Sequence, residues 1–204
     1  MLRPDRLGAR AGTLGTNPVG GRDQPELSIF CFDYTLGSGF WQCVLAARLV
    51  LCYNLSIMRI QEFQVTLVDK TRKQLPRALR NFEPRSFFSI VKLSYRNPKL
   101  HYEVWVRGQE RLIEIGLHLE ADKSTNDALL AYFNAHALEI HAELGPRIEI
   151  EQWTTLWSRV HEFVPYESLD AKLVDALAKK LGQMITVLQP MLTKFEKQKS
   201  RQAR

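Results

Sequence analysis

The segments HYEVWVR, residues 101–107, and LIEIGLHLE, residues 112–120, decide the fold of this chain. Apolar and polar side chains alternate along both, which is typical of β-strands because successive side chains point to opposite faces of a sheet. Gly108 and Gln109 lie between them, so the pair predicts an antiparallel hairpin. The second segment has one apolar and one polar face: Ile113, Ile115, Leu117 and Leu119 against Glu114, His118 and Glu120.

Three further strands are predicted outside this hairpin. The β-branched and aromatic residues over 87–95 predict one strand before it, followed by a turn at Asn97 and Pro98. The segments 148–151 and 156–164 predict two more after it. Five short strands joined by hairpins favour an antiparallel sheet.

Helical spacing of apolar residues recurs in three stretches: 60–80, 124–144 and 169–195. Ser124 and Asp127 resemble a capping box at the start of the second stretch. Pro190 is expected to kink the third helix or to start a new turn. The order α-β-β-β-α-β-β-α predicts an α+β fold with a five-stranded antiparallel sheet and helices packed on one of its faces.

The composition of the chain changes near Met58. All three cysteines and seven of the eleven glycines precede it, and every lysine follows it. We expect residues 1–57 to be a disordered or weakly structured extension that the fold does not need, 58–198 to form a single domain, and 199–204 to be a basic tail. The apolar run over residues 40–58 carries Arg48 at its centre, which disfavours a membrane helix.

The charge balance and the cysteine spacing of the chain exclude some classes of protein without indicating a particular one. The chain has 28 lysines and arginines against 22 acidic residues, a formal charge of +6, and most of that excess falls after residue 193. A positive charge concentrated in a tail does not by itself indicate a nucleic-acid partner. Cys31, Cys43 and Cys52 lack C-x-x-C spacing, so we expect no zinc finger or disulfide framework and a reduced, cytoplasmic protein.

The order of elements over residues 60–198 resembles the small bacterial secretion-chaperone fold and its non-secretory relatives. The resemblance lies in topology rather than in a signature motif. It implies a domain that dimerises and binds a partner polypeptide along its surface, without catalysis. Those chaperones are typically acidic, whereas this chain is basic.

The candidate surface for binding another polypeptide is the polar face of the predicted sheet or the long last helix. Three of the four tryptophans fall on the sheet face, and tryptophan and arginine are enriched at binding hot spots. In an alternative interpretation, glutamates and arginines pair across strands while the tryptophans cover the sheet or lie in a contact. The candidate residues are Trp105, Arg107, Trp153, Trp157, Arg159 and His161.

A nucleic-acid-binding module, accessory to DNA-processing or restriction proteins, is the second functional hypothesis. Helical spacing over residues 60–80 can place Lys73, Arg77 and Arg80 along one side of the first helix, where they could follow a phosphate backbone.

Catalytic and metal-binding patterns are weaker. The acidic residues Glu103, Glu114, Glu120 and Asp122 with Lys123 are reminiscent of a metal-dependent nuclease, but Ala121 stands where such sites want an acidic residue. His118 and Glu120 could share a metal with His101 or His161, yet an i, i+2 pair on a strand often arises by chance. We therefore expect no enzyme, no metal and no cofactor.

Overall fold

A computed structural model describes residues 58–202. The predictions for residues 1–57, including the apolar run that starts at residue 40, lie outside the described residues. None of the helices within 58–202 is both long enough and apolar enough to cross a membrane. The elements in chain order are α1 (Ile60–Gln74), a 3₁₀ turn (Arg77–Leu79), β1 (Glu83–Phe87), β2 (Ile90–Ser94), β3 (Leu100–Arg107), β4 (Leu112–Leu119), α2 (Lys123–Ala135), α3 (Ala137–Leu144), β5 (Glu149–Gln152), β6 (Ser158–Pro165) and α4 (Ala171–Gln202).

The strands form an antiparallel sheet in the order β1-β2-β3-β4-β6-β5. The predicted α+β class and antiparallel sheet are therefore confirmed. The prediction of five strands is wrong, because the described residues form six. Residues 87–95, predicted as one strand, contain a tight turn at Phe88 and Ser89 with the additional strand β1 before it.

The additional strand carries little sequence signal. Pro84 lies within β1, and proline is tolerated in a sheet mainly on edge strands, which is where β1 lies. Its turn is unusual as well, because Phe88 has φ 46° at a position where glycine or asparagine is preferred. Because neither glycine nor asparagine occurs at this turn, the sequence does not predict the hairpin.

The helix boundaries differ from the predictions in four places. The first helix ends at Gln74 rather than near residue 80. The predicted helix over 124–144 is two helices, α2 and α3, separated at His136. Asp122 rather than Ser124 caps α2, because its carboxylate accepts the Thr125 amide at 3.0 Å. The last helix continues through Pro190 to Gln202 without a new start.

One buried apolar cluster joins the sheet to the helices. The alternation predicted for β3 and β4 is present, and Tyr102, Val104, Ile113 and Ile115 are at most 1% exposed. They belong to the same cluster as the apolar stripe of α4, which includes Leu181 and Leu188. The opposite face of these strands carries the polar alternates.

Gly116 allows β4 and β6 to lie close together on that polar face. A Cβ at this position would lie 2.5 Å from His161 Cβ and 2.5 Å from the Val160 carbonyl oxygen. Both are atoms at or next to the backbone, so a shift of the strand would be needed to make room.

We expect Gly116→Ala to lower the free energy of unfolding by about 3 kcal/mol, because overpacking here cannot be relieved by a flexible side chain. Gly182→Ala, within α4, is the matched control, because the added Cβ would lie 3.7 Å from the Gln74 side chain, an ordinary van der Waals distance. That change should stabilise the protein by about 1 kcal/mol through helix propensity. Urea unfolding measures both values, and similar effects from the two substitutions would contradict the close approach.

Candidate functional site

The strand register arranges the polar face of the sheet in three rows. The aromatic row consists of Phe87, Ile90, Trp105, Glu114 and Phe163. The middle row consists of Arg85, Lys92, Glu103, Gly116, His161 and Glu149. The histidine row consists of Glu83, Ser94, His101, His118, Arg159 and Glu151.

The structure divides the predicted binding surface into accessible and buried parts. Trp105, Arg107 and Trp153 are half-buried, and Trp157 is 37% exposed. Arg159 is 8% exposed and His161 is fully buried. The neighbouring polar side chains are buried as well, with at most 3% of each residue exposed: His101, Glu103, Glu114 and His118.

Arg159 holds the buried polar face together. Its Nη1 donates to Glu114 Oε1 at 2.6 Å, while Nε and Nη2 donate to Glu151 Oε1 at 2.9 and 2.6 Å. Its guanidinium lies 5.2 Å from the ring centre of Trp153 and 5.6 Å from that of Phe163. These contacts are the cross-strand pairing under aromatic cover that the alternative interpretation describes.

The electrostatics of this face keep the Glu103 and Glu114 carboxylates ionised. Burial would raise the pKa of Glu114, but His118, Arg159 and His161 outweigh it and hold that pKa below its ordinary value. For Glu103, burial is opposed by His101, His118 and Lys92, which lower the pKa to about 2. Burial and the nearby Arg159 cation lower the pKa of His161, so its imidazole is neutral near pH 7.

His101 and His118 lie face to face on adjacent strands. Their ring centres are 5.7 Å apart, and Trp153 lies edge-on to His118 at 5.5 Å. His101 Nδ1 is 2.9 Å from the Pro98 carbonyl oxygen. Its Nε2 lies 3.4 Å from Glu103 Oε2 and 3.8 Å from a Glu120 oxygen.

The two histidines form a compact group of donor atoms with Glu103 and Glu120. One donor atom from each of the four side chains lies within 4.8 Å of the other three, which is close enough for a shared ion. From the sequence, the i, i+2 pair His118 and Glu120 is expected to be a chance pattern. In the structure this pair lies beside His101, because the register of β3 with β4 pairs His101 with His118. Pairing His101 with His118 in the predicted hairpin is the signal that could have revealed the group.

The nuclease-like residues do not converge. Asp122 caps α2 and also accepts the Ser124 hydroxyl at 2.7 Å, which lowers its pKa. Lys123 contacts Asp127 at 2.7 Å on the exposed side of the same helix. Neither side chain therefore joins Glu103 and Glu114 on the sheet.

The aromatic row continues onto the protein surface through residues that sequence analysis placed inside a strand. Phe87 is 51% exposed and Phe88, in the adjoining turn, is 98% exposed. Arg107 lies over Trp105 at 5.1 Å and over Phe163 at 5.5 Å from the ring centres. Phe87 and Phe88 thus form an exposed apolar patch where the aromatic row reaches the edge strand β1.

The residues of the nucleic-acid hypothesis do not lie along one helix. Lys73 belongs to the last turn of α1, Arg77 to the 3₁₀ turn, and Arg80 follows that turn. Arg80 donates to the carbonyl oxygens of Leu75 at 2.7 Å and Lys73 at 3.3 Å, so its guanidinium is engaged in capping the helix end.

Comparison with known protein families, curated proteins and solved structures gave no match. The function is therefore argued from the geometry of the chain.

We expect Arg159→Met to lower the free energy of unfolding by about 3 kcal/mol, because Glu114 would remain buried without its cation. The matched control is Lys123→Met, whose partner Asp127 is 48% exposed in its side chain. An exposed pair of this kind contributes less than about 0.5 kcal/mol. Equal losses in chemical unfolding of the two variants would show that Arg159 does not neutralise a buried charge.

Proposed function

We propose that this domain binds another polypeptide chain, without catalysis, through the aromatic row and the edge strand β1. The observation that carries the proposal is Phe88. This side chain is 98% exposed, and its residue has φ 46°. A large aromatic group is thus displayed to solvent from a backbone conformation that favours glycine.

Folding alone gives no reason for phenylalanine at this turn. The left-handed region costs a residue with a Cβ roughly 1–2 kcal/mol, and a fully exposed ring gains almost nothing from burial. Asparagine or glycine would form the same turn at lower cost. Departures from local rules of this kind concentrate at functional sites.

The neighbours of Phe88 extend it into a surface suited to a polypeptide. Phe87, Ile90 and Trp105 follow it across adjacent strands, and Arg107 lies over the Trp105 ring. Every residue of β1 is exposed, and β1 is at the edge of the sheet. A bound segment can therefore add main-chain hydrogen bonds along the edge while its side chains contact the aromatic row.

The resemblance to secretion chaperones also implies binding of a partner polypeptide, and that implication stays a prediction. A second copy of this chain is the first partner to consider, because a two-fold dimer brings the same patch of both copies together and would cover the exposed aromatic side chains.

Peptide selection from a random displayed library tests the proposal on the full chain. We expect wild type to enrich extended peptides with apolar side chains. Their affinity should fall at least about 10-fold on Phe88→Asn or Trp105→Ala, as is usual for loss of an aromatic anchor. Fluorescence anisotropy measures the affinities, and light scattering reports whether a concentration-dependent dimer is lost with the same variants.

Two controls separate binding from folding. Leu138→Asn removes an 88% exposed apolar side chain from α3, away from the patch, and should leave peptide binding unchanged. Phe88→Asn should keep or raise the melting temperature, because asparagine tolerates positive φ. The proposal fails if no peptide is enriched and no dimer forms, or if Phe88→Asn and Trp105→Ala both bind the selected peptides as wild type does.

A second candidate function, nucleic-acid binding, is favoured by a different surface. A groove of about 900 Å³ lies between the end of α4, the start of α2 and the β2–β3 turn. Glu196 is its one acidic lining residue, whereas four lining residues are basic: Arg96, Lys197, Lys199 and Arg201. Clustered cations of this kind suit a phosphate backbone.

For this candidate we expect oligonucleotide binding that weakens steeply between low and moderate salt, with a shallower slope in Lys197→Gln and Arg201→Gln. Lys172→Gln, at the opposite end of α4, is the control of equal charge change and should leave the slope unchanged. Anisotropy titrations at several salt concentrations measure it. Absence of binding at low salt would eliminate this function.

A further inference from the structure

We propose that His101, Glu103, His118 and Glu120 form a binding site for one divalent zinc ion. The site is separate from the aromatic row and independent of the polypeptide-binding proposal. Two imidazole nitrogens and two carboxylate oxygens are a donor set that zinc accepts, whereas magnesium and calcium prefer oxygen atoms alone.

The spacing of the donor atoms suits a four-coordinate ion. Zinc bonds of about 2.0–2.1 Å at tetrahedral angles place ligand atoms ~3.3 Å apart. His101 Nε2 lies 3.4 Å from Glu103 Oε2 and 3.8 Å from Glu120 Oε1, and His118 Nδ1 lies 3.9 Å from the same Glu120 oxygen. Small side-chain rotations therefore suffice to close the group around an ion.

The imidazoles are buried with nitrogens that nothing in the described chain satisfies. Each side chain is 1% exposed. Among residues 58–202, His101 Nε2 and His118 Nδ1, the two nitrogens that face the carboxylates, have no hydrogen-bond partner. Buried polar atoms are nearly always paired, so two unpaired imidazole nitrogens in one cluster indicate a ligand that pairs with both.

The surroundings orient both rings as metal-binding histidines are oriented. The Pro98 carbonyl oxygen, 2.9 Å from His101 Nδ1, accepts the proton of that nitrogen and leaves the Nε2 lone pair facing the carboxylates. Glu114 Oε1 lies 3.3 Å from His118 Nε2, which leaves Nδ1 facing Glu120. A carbonyl or carboxylate behind each ligating histidine is the usual outer support of a zinc site.

Lys92 occupies the position of the positive charge in this structure. Its Nζ lies 3.1 Å from Glu103 Oε2 and 3.4 Å from Glu120 Oε2. The Lys92 side chain is 28% exposed, so it can move into solvent when an ion binds to the carboxylates. Zinc and the lysine ammonium therefore compete for the same two carboxylates, those of Glu103 and Glu120.

The neighbouring group of Glu149, Glu151 and His161 is a weaker candidate. His161 Nε2 is already hydrogen-bonded with Glu151 Oε1 at 3.0 Å, and Arg159 donates to that same oxygen. A cation there would have to displace a buried guanidinium. In the four-residue group an ion has only to displace the partly exposed Lys92 ammonium. Its closed set of four protein ligands indicates a stabilising rather than a catalytic ion.

Calorimetric titration of the full, chelator-treated chain with zinc tests the proposal. Cys31, Cys43 and Cys52 are changed to serine in every sample so that thiolates do not contribute. We expect one equivalent to bind and the melting temperature to rise by about 5 °C or more at 100-fold excess over Kd. Cobalt in place of zinc should give the absorption bands of a tetrahedral nitrogen and oxygen site.

His118→Gln and Glu120→Gln should each weaken binding at least about 100-fold, because each removes a ligand and loss of an outer partner alone costs 10–100-fold. His136→Gln, at a half-buried histidine between α2 and α3, should leave affinity unchanged. Lys92→Gln should tighten zinc binding by removing the competing cation.

Glu120 is partly exposed, so Glu120→Gln keeps the test decisive should His118→Gln fail to fold. The proposal is overturned if wild type shows no saturable zinc binding, or if Glu120→Gln and Lys92→Gln both bind as wild type does. Neither result would bear on peptide binding by the aromatic row.

Discussion

The bonds of Arg159 with Glu114 and Glu151 are the interaction on which the polar half of this domain depends. Alternation along β3, β4 and β6 places carboxylates and imidazoles on one face, and the structure buries them rather than leaving them in water. A buried carboxylate must be neutralised by a charged partner or become protonated. The one guanidinium bonds both acids, from strands on either side of its own. Gly116 makes the close approach of β4 and β6 possible.

The buried layer consists of His101, Glu103, Glu114, His118, Arg159 and His161. It lies between two accessible regions of the sheet. Phe87, Phe88 and Trp105 lie at one end, and Leu156 and Trp157, both exposed, lie in the loop between β5 and β6 at the other. The layer itself is therefore better suited to holding an ion and fixing the strands than to contacting a partner. Of the exposed aromatic groups, Phe88 is the least explained by folding, and the proposed recognition surface is built around it.

Sequence reasoning could predict the faces of β3 and β4, because a two-residue period is a direct consequence of strand geometry. It could not predict that the polar face is buried, since alternation assigns a side chain to a face without saying what covers it. The turn at Phe88 was missed because the turn residues are not glycine or asparagine. The grouping of His101 with His118 required the register of the hairpin, which depends on the turn between the two strands.

Chemical modification of the five histidines by diethyl pyrocarbonate distinguishes a buried polar layer from a polar face that is open to solvent. His136, between α2 and α3, and His141, within α3, are half-buried, whereas the remaining three lie in the layer at no more than 1% exposure. Mass spectrometry of the native full chain should show His136 and His141 modified first, with His101, His118 and His161 protected until the domain unfolds. Modification of those three at the rate of His136 would show that the polar face is open to solvent rather than buried.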